Sequence, residues 1–242
     1  MAEIRLQKFF TDQGILSRRA AEREIEAGRV TVNGVTAQTG QKIDPERDRV
    51  AYGGRVIPYL PSAARHYILL NKPRGFVTTL SDEKGRQTVA ELVASLGCRV
   101  YPVGRLDMDS DGLLLLTDDG DLTLRLTHPR HEIPKLYRVC VKGTPTTEQL
   151  QALNRPFTLD GYQTLPAKVT LSGREGADAL LEIELHEGRN RQIRRMCEAV
   201  GLRITRLTRV AIGRIQLGAL PVGHYRHLTA DEVAYLKGEK QA

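Results

Sequence analysis

A chain of 242 residues, 40% hydrophobic and 27% charged, is long enough to bury about 70% of its unfolded surface without disulfide or metal staples, and its length predicts between one and two domains. Apolar runs such as Leu113–Leu116 fall far short of the roughly 18 residues of a membrane helix, and the N-terminus MAEIRLQKFF has no apolar signal region, so a cytoplasmic protein with no membrane association is expected. Thirty-six Lys and Arg against 29 Asp and Glu leave a formal charge of +7, which points to a polyanionic partner. The charge is uneven: residues 1–65 carry +3, and His186–Arg214 alone carries +6, with eight Arg and no Lys. Concentrated arginine suits phosphate recognition, because the planar guanidinium forks onto phosphate oxygens and stacks on bases. The three cysteines, Cys98, Cys140 and Cys197, have no ligand spacing and are expected as small buried hydrophobes. His128, His131 and His186 are scattered without metal-ligand spacing, so no metal is expected.

Along the chain, Leu6, Phe9 and Phe10 recur at helical spacing until Gly14, and Ser17 stands at an N-cap position before RRAAEREIEAG, where Ala21 and Ile25 form an apolar edge. Arg29–Val32 alternates and runs into Asn33-Gly34, the strongest short hairpin signal. KIDPERDRVAYGGRVI adds two more short strands, and the proline-bearing PYLPSAAR marks a boundary. Residues 1–60 therefore read as a helix–helix–strand module, 61–65 as a linker, and 66–242 as a second domain. There, Tyr67–Leu70 is an apolar strand stopped by NKPRG, Val89–Leu96 carries a helical stripe, and GRLDMDSDG precedes a strand at Leu113–Leu116. LYRVCVKG, PAKVTLSG and ALLEIELHEG alternate as strands, and Asn190–Val200 reads as a helix. Many strands and few helices predict an α+β fold with a mixed or antiparallel sheet.

The segment LQKFFTDQGILSRRAAEREIEAGRVTVNG resembles the alpha-L type RNA-binding module of ribosomal small-subunit protein four. That resemblance implies that Arg18, Arg19 and Arg23 face structured RNA. The residues alone also allow a solvated helix whose Arg and Glu pair at i,i+4.

A lone Gly-Arg-Leu-Asp more often caps a turn. Here, however, NKPRG, GRLDMDSDGLLLLT, HEIPKLYRV and HEGRNRQIRRMCEAVG occur in one order. Together they resemble the pseudouridine synthases that modify ribosomal RNA, in the RsuA-like branch with an N-terminal alpha-L module, over about Leu6–Leu236. The resemblance implies isomerisation of uridine without cofactor or metal, on ribosomal RNA. The large subunit is favoured because MAEIRLQKFF and EGRNRQIRRMCEAVG look closer to that subgroup. It implies Asp107 as the reactive carboxylate on a flipped-out base, either attacking sugar or ring or assisting an elimination; each route needs an ionised carboxylate, so a neighbouring cation is expected. That cation is expected to be Arg189. Tyr137 is expected to stack on the uracil, Arg105 to fill the space of the extruded base, and Ile193 to line the pocket. Arg191, Arg194 and Arg195, at i+3 and i+4 spacing, are expected to share a cationic face for entering RNA, joined by Lys72 and Arg74 from NKPRG. A monomer is expected. The rival readings are a catalytically inactive rRNA-binding assembly factor with the same fold, a DNA-binding protein, and a glycosidase pairing Asp107 with Asp109 or Asp111.

Overall fold

The computed structural model describes residues 3–60, 65–128, 130 and 132–239. Residues 61–64 of the expected linker, and His131, lie outside the described residues. The chain divides into two compact units, one running to His66 and the other beginning at Tyr67, with Asp118–Gly120 grouped with the first.

The first unit comprises β1 (Ile4–Arg5), α1 (Leu6–Asp12), α2 (Arg18–Glu26), β2 (Val30–Val32), β3 (Val35–Thr36), β4 (Lys42–Ile43), β5 (Val50–Tyr52) and β6 (Arg55–Val56). Ser17 caps α2 as its position requires: its Oγ accepts the Ala20 backbone N–H at 3.1 Å. Asn33 and Gly34 both adopt positive φ, 52° and 82°, the geometry of a tight two-residue hairpin turn between β2 and β3. Leu6, Phe9 and Phe10 from α1 and Ala21 and Ile25 from α2 pack with Val30, Ile43 and Val50 into one core. Phe10 also meets Tyr52 edge-on, 5.8 Å between ring centres. Burying each phenylalanine is worth about 1.5–3 kcal/mol, which is what holds two short helices that would not persist alone.

The second unit contains β7 (Tyr67–Lys72), α3 (Val89–Leu92) with a 3-10 turn at Ala94–Leu96, β8 (Tyr101–Pro102), β9 (Asp111–Thr117), α4 (Gly120–Thr127), β10 (Lys135–Val141), α5 (Thr147–Leu153) and the hairpin β11 (Thr158–Leu159) and β12 (Tyr162–Gln163). These are followed by β13 (Lys168–Glu175), β14 (Asp178–Leu185), α6 (Gln192–Ala199), β15 (Ile204–Ile212), β16 (Ile215–Gln216), β17 (Tyr225–His227) and α7 (Ala230–Lys237). A mixed sheet runs β13-β14-β10-β15-β9-β7-β17, with β16 on β15 and β8 on β9. Among the described residues its one parallel strand pair is β9 with β15, Thr208 opposite Asp111 and Arg209 opposite Gly112.

Alternate residues of β7 and β9 belong to different cores. Ile68, Leu70, Leu114 and Leu116 join the cluster that includes Met196 and Cys197 of α6, whereas Leu69, Leu113 and Leu115 join Leu122, Leu126 and Leu236 from α4 and α7. Both faces of this part of the sheet are covered, so the strand reads as an unbroken apolar run. At Gly112, φ is 102° and an added Cβ would sit 2.3 Å from the Arg209 carbonyl oxygen. Only glycine lets the parallel seam close at that point.

Candidate active site

The GRLDMDS loop is fixed from two sides. Below it lies Lys72, which belongs to β7 and is wholly buried. Its Nζ donates to the carbonyls of Pro73 at 3.0 Å, Asp107 at 3.1 Å and Ser110 at 2.9 Å. Burial pushes the ammonium down to about 8, partly offset by the charges of Asp111, Asp107 and Asp109. The expectation that Lys72 presents charge to RNA is therefore corrected. The strand continues through Lys72, and Pro73 begins the turn, so the side chain points inward and its donors serve the loop carbonyls. Thr78 adds to this: its Oγ1 donates to the Leu106 carbonyl at 2.6 Å, and Gly75 N–H donates to the Met108 carbonyl at 2.7 Å.

From the other side come arginines at the start of α6. Arg191 occupies the N-cap with a left-handed φ of 49°, a conformation that costs a non-glycine residue energy and re-aims its side chain. Its Nη1 lies 3.5 Å from Oδ2 of Asp107, and its Nη1 and Nη2 donate to both carboxylate oxygens of Asp109 at 3.2 Å. Arg194, one turn further on, donates to the Asp109 carbonyl and to Ser110 Oγ, both at 3.0 Å. Its Nε is buried without a hydrogen-bond partner, 4.0 Å from Oδ2 of Asp107. Burial works to raise the Asp109 carboxyl, but the Arg191 hydrogen bond and the charges of Arg194 and Arg191 prevail and hold it below its ordinary value.

The expected pairing of Arg189 with Asp107 is not formed. Arg189 precedes the left-handed residue, and its guanidinium stacks 3.5 Å over the Tyr162 ring, with Nε 3.6 Å from Glu187. Arg191 and Arg194 take the place expected of it. Nor do Arg191, Arg194 and Arg195 form a bare cationic face: Arg195 forks onto Asp160 at 2.7 and 2.8 Å, so all three are matched by carboxylates. Arg74 is exposed, and its charge acts on Arg194.

Asp107, Arg105, Tyr137, Arg189, Arg191 and Ile193 nevertheless line one cavity of about 470 Å³. Tyr137 is 9% exposed and belongs to the main core while also lining the cavity, so packing and cavity roles coincide in one ring. Ile193 is buried and Arg105 exposed. Two further cavity residues, Lys135 and Arg209, escaped the sequence reading. Asp111 does not face Asp107 as a second acid: it is buried and receives Arg206 Nε at 3.1 Å and the Thr208 hydroxyl.

In the first unit, Arg18, Arg19 and Arg23 are exposed and have no carboxylate within ion-pair distance among the described residues. The i,i+4 pairing does not occur, since Glu24 binds Arg29 at 2.6 Å and Glu22 receives Gln7 at 3.1 Å. Among the described residues no three His, Cys, Asp or Glu side chains converge as a metal site, and no helix is long and apolar enough to cross a membrane. Among the described residues Cys140 and Cys197 are buried and Cys98 is half-buried.

Residues 66–199 match the RNA pseudouridylate synthase family model, and residues 4–50 match the S4 domain. The chain belongs to the RNA pseudouridine synthase family. Among its relatives, an uncharacterized RNA pseudouridine synthase of Aquifex aeolicus is 42% identical over 98% of this chain and 94% of its own. Ribosomal large subunit pseudouridine synthase B of Bacillus subtilis is 40% identical over 96% and 95%. The dual-specificity RNA pseudouridine synthase RluF of Escherichia coli is 37% identical over 96% of this chain and 78% of its own. A crystal structure of a pseudouridylate synthase superposes with a TM-score of 0.68 at 31% identity, covering 96% of this chain and 99% of the other. The synthase thus has an N-terminal S4 RNA-binding domain ahead of an α+β isomerase domain built on a mixed sheet.

Proposed function

We propose that this synthase isomerises a specific uridine of large-subunit ribosomal RNA in the cytoplasm, with residues 1–60 holding RNA and residues 66–242 carrying the reaction. The observation that carries the reading is Asp107: a one-third-exposed carboxylate on a loop immobilised by Lys72 and Arg194, facing a cavity of about 470 Å³ with two guanidinium groups beside it. A flipped-out uridine enters that cavity, Tyr137 offers its ring to the base, and Asp107 supplies the reactive oxygen while Arg191 and Arg194 supply the opposing charge. The large-subunit assignment draws on the name of the Bacillus relative.

The test is release of tritium from ribosomal RNA labelled at carbon 5 of uridine. The wild type should release it, and Asp107→Asn should not, although it binds RNA nearly as well, since the amide keeps the size but not the nucleophile. Release by Asp107→Asn would remove the residue from its role. A silent wild type that still binds ribosomal RNA would favour the assembly-factor reading.

A further inference from the structure

We propose that Lys135 and Arg209 form a cationic seat in the wall of the Asp107 cavity that holds the pyrimidine ring while it is detached and negatively charged. The proposal rests on the isomerase reading above, in the form where the glycosidic bond breaks and the ring departs.

Tyr137 on β10 lies directly opposite Arg209 on β15, and Lys135 stands two residues before Tyr137, so the three side chains leave the sheet side by side. All three line the cavity. Arg209 is 3% exposed, and its Nε donates to the Leu113 carbonyl at 2.8 Å, yet its Nη2 is buried with no hydrogen-bond partner. Lys135 is half-buried, and its ammonium donates to the Ile133 carbonyl at 3.0 Å. Neither cation has a carboxylate within ion-pair distance among the described residues. Of the other cavity arginines, Arg189 has Glu187 and Arg191 has Asp107 and Asp109, while Arg105 is exposed to solvent instead of buried like Arg209. Burial, and then the charge of Arg209, push Lys135 below its ordinary value. Two unmatched like charges and an orphaned buried donor are costly alone, and an anion entering the cavity relieves all of it.

The chemistry makes such an anion. When the bond from C1′ to N1 breaks, its electron pair stays on the ring, and the charge spreads over N1, O2 and O4 while Asp107 answers the electron-poor C1′. The ring then turns, C5 bonds to C1′, C5 loses its proton and N1 gains one, so no oxidant or reductant is consumed. The Tyr137 ring and the apolar Ile193 and Ile212 line the same cavity, and a flat anion offers them a face to pack on that a tetrahedral phosphate lacks.

The experiment compares wild type, Lys135→Met, Lys135→Arg and Arg209→Met in single-turnover tritium release from 5-labelled ribosomal RNA, alongside RNA affinity and melting temperature. Lys135→Met should slow the step about 100-fold with RNA affinity and melting temperature nearly unchanged, and Lys135→Arg should recover most of the rate. Should Arg209→Met fail to fold, the Lys135 pair decides the matter. Weakened RNA affinity with an unchanged rate at saturation would mean that these cations hold a backbone phosphate, and it overturns the seat. An active wild type with unimpaired variants overturns the seat alone, whereas a silent wild type overturns the isomerase reading and the seat with it.

Discussion

Helix α2 of the S4 domain and the start of helix α6 in the isomerase domain are both rich in arginine, yet the two sets are used in opposite ways. Arg18, Arg19 and Arg23 stand exposed and, among the described residues, unmatched by carboxylates, whereas Arg191, Arg194 and Arg195 each have one. Exposed charges act as a field, screened over about 8 Å at physiological salt and suited to gathering phosphates regardless of sequence. Charges held by hydrogen bonds to carboxylates and loop carbonyls, as at Arg191 and Arg194, act as fixed parts that aim a loop. Net charge alone, +3 in one region and +6 in the other, conceals this difference.

The strongest way to break the contrast is to remove one fixed part. Arg194→Met takes away the donors to the Asp109 carbonyl and Ser110 together with the charge near Asp107, and turnover should fall about 100-fold or more. Arg189→Met should cost far less, because that side chain stacks on Tyr162. Single-turnover rates check this, and the reverse ranking would restore Arg189 as the partner of Asp107.

Lys72 is the extreme case of a cation spent inside. Lys72→Met takes the donor from the Pro73 and Ser110 carbonyls, while the Asp107 carbonyl keeps the Ser110 N–H, and should lower stability by about 2–4 kcal/mol at neutral pH, visible as several degrees in melting temperature. The wild type should also gain stability relative to Lys72→Met as pH rises from about 8 to 10.5. The sign follows because the unfolded lysine, at its ordinary 10.5, holds the proton more tightly than the folded one. Cys140 and Cys197, pushed by burial to about 11 and about 12, pull the other way above pH 9 in both proteins. For that reason the difference in denaturation midpoints between the two is the quantity to follow, and a flat difference would mean that Lys72 keeps its ordinary value.

The field-like set should respond in another currency. Replacing Arg18, Arg19 and Arg23 together by Gln should weaken RNA binding and flatten its salt dependence by roughly two to three units of slope, leaving turnover at saturating RNA alone. An unchanged slope in salt titrations would show that α2 does not meet phosphates. Smallest of all, Arg195→Ala opens an exposed pair with Asp160 and should shift stability by less than about 1 kcal/mol, within reach of a denaturant melt.

The sequence reading reached furthest where a local rule decides the conformation. Ser17 caps α2, Asn33-Gly34 turns a hairpin, and the leucine run of β9 is a strand. It failed where tertiary structure reassigns a charged side chain. Lys72 follows five strand residues and precedes Pro73, and nothing local says that the strand carries it inward. Arg189 and Arg191 are two residues apart, and the left-handed φ at Arg191 decides which pairs with Asp107. Strand β15 was missed because Arg206 and Arg209 give it the look of a surface segment, although the β-branched Ile204, Thr205, Thr208, Val210 and Ile212 carry the strand signal. Helices α4, α5 and α7 are short and lack a pronounced apolar stripe, and the stripe at Val89–Leu96 breaks at Val93 into an α-turn and a 3-10 turn.

The parallel seam between β9 and β15 joins residues far apart along the chain: Thr208 and Asp111, bonded across it, are separated by 97 positions. Contacts of that span form late, after shorter loops have closed. Asp107 lies just before β9, and Arg191 and Arg194 lie at the start of α6, the helix that precedes β15, so the same closure brings the carboxylate to its arginines. While the chain is being made, Asp107 emerges roughly 100 residues ahead of the strand that completes its surroundings. The Asp107 carboxylate therefore spends much of synthesis without its cavity, and the complete site arrives all at once, only after β15 has been made.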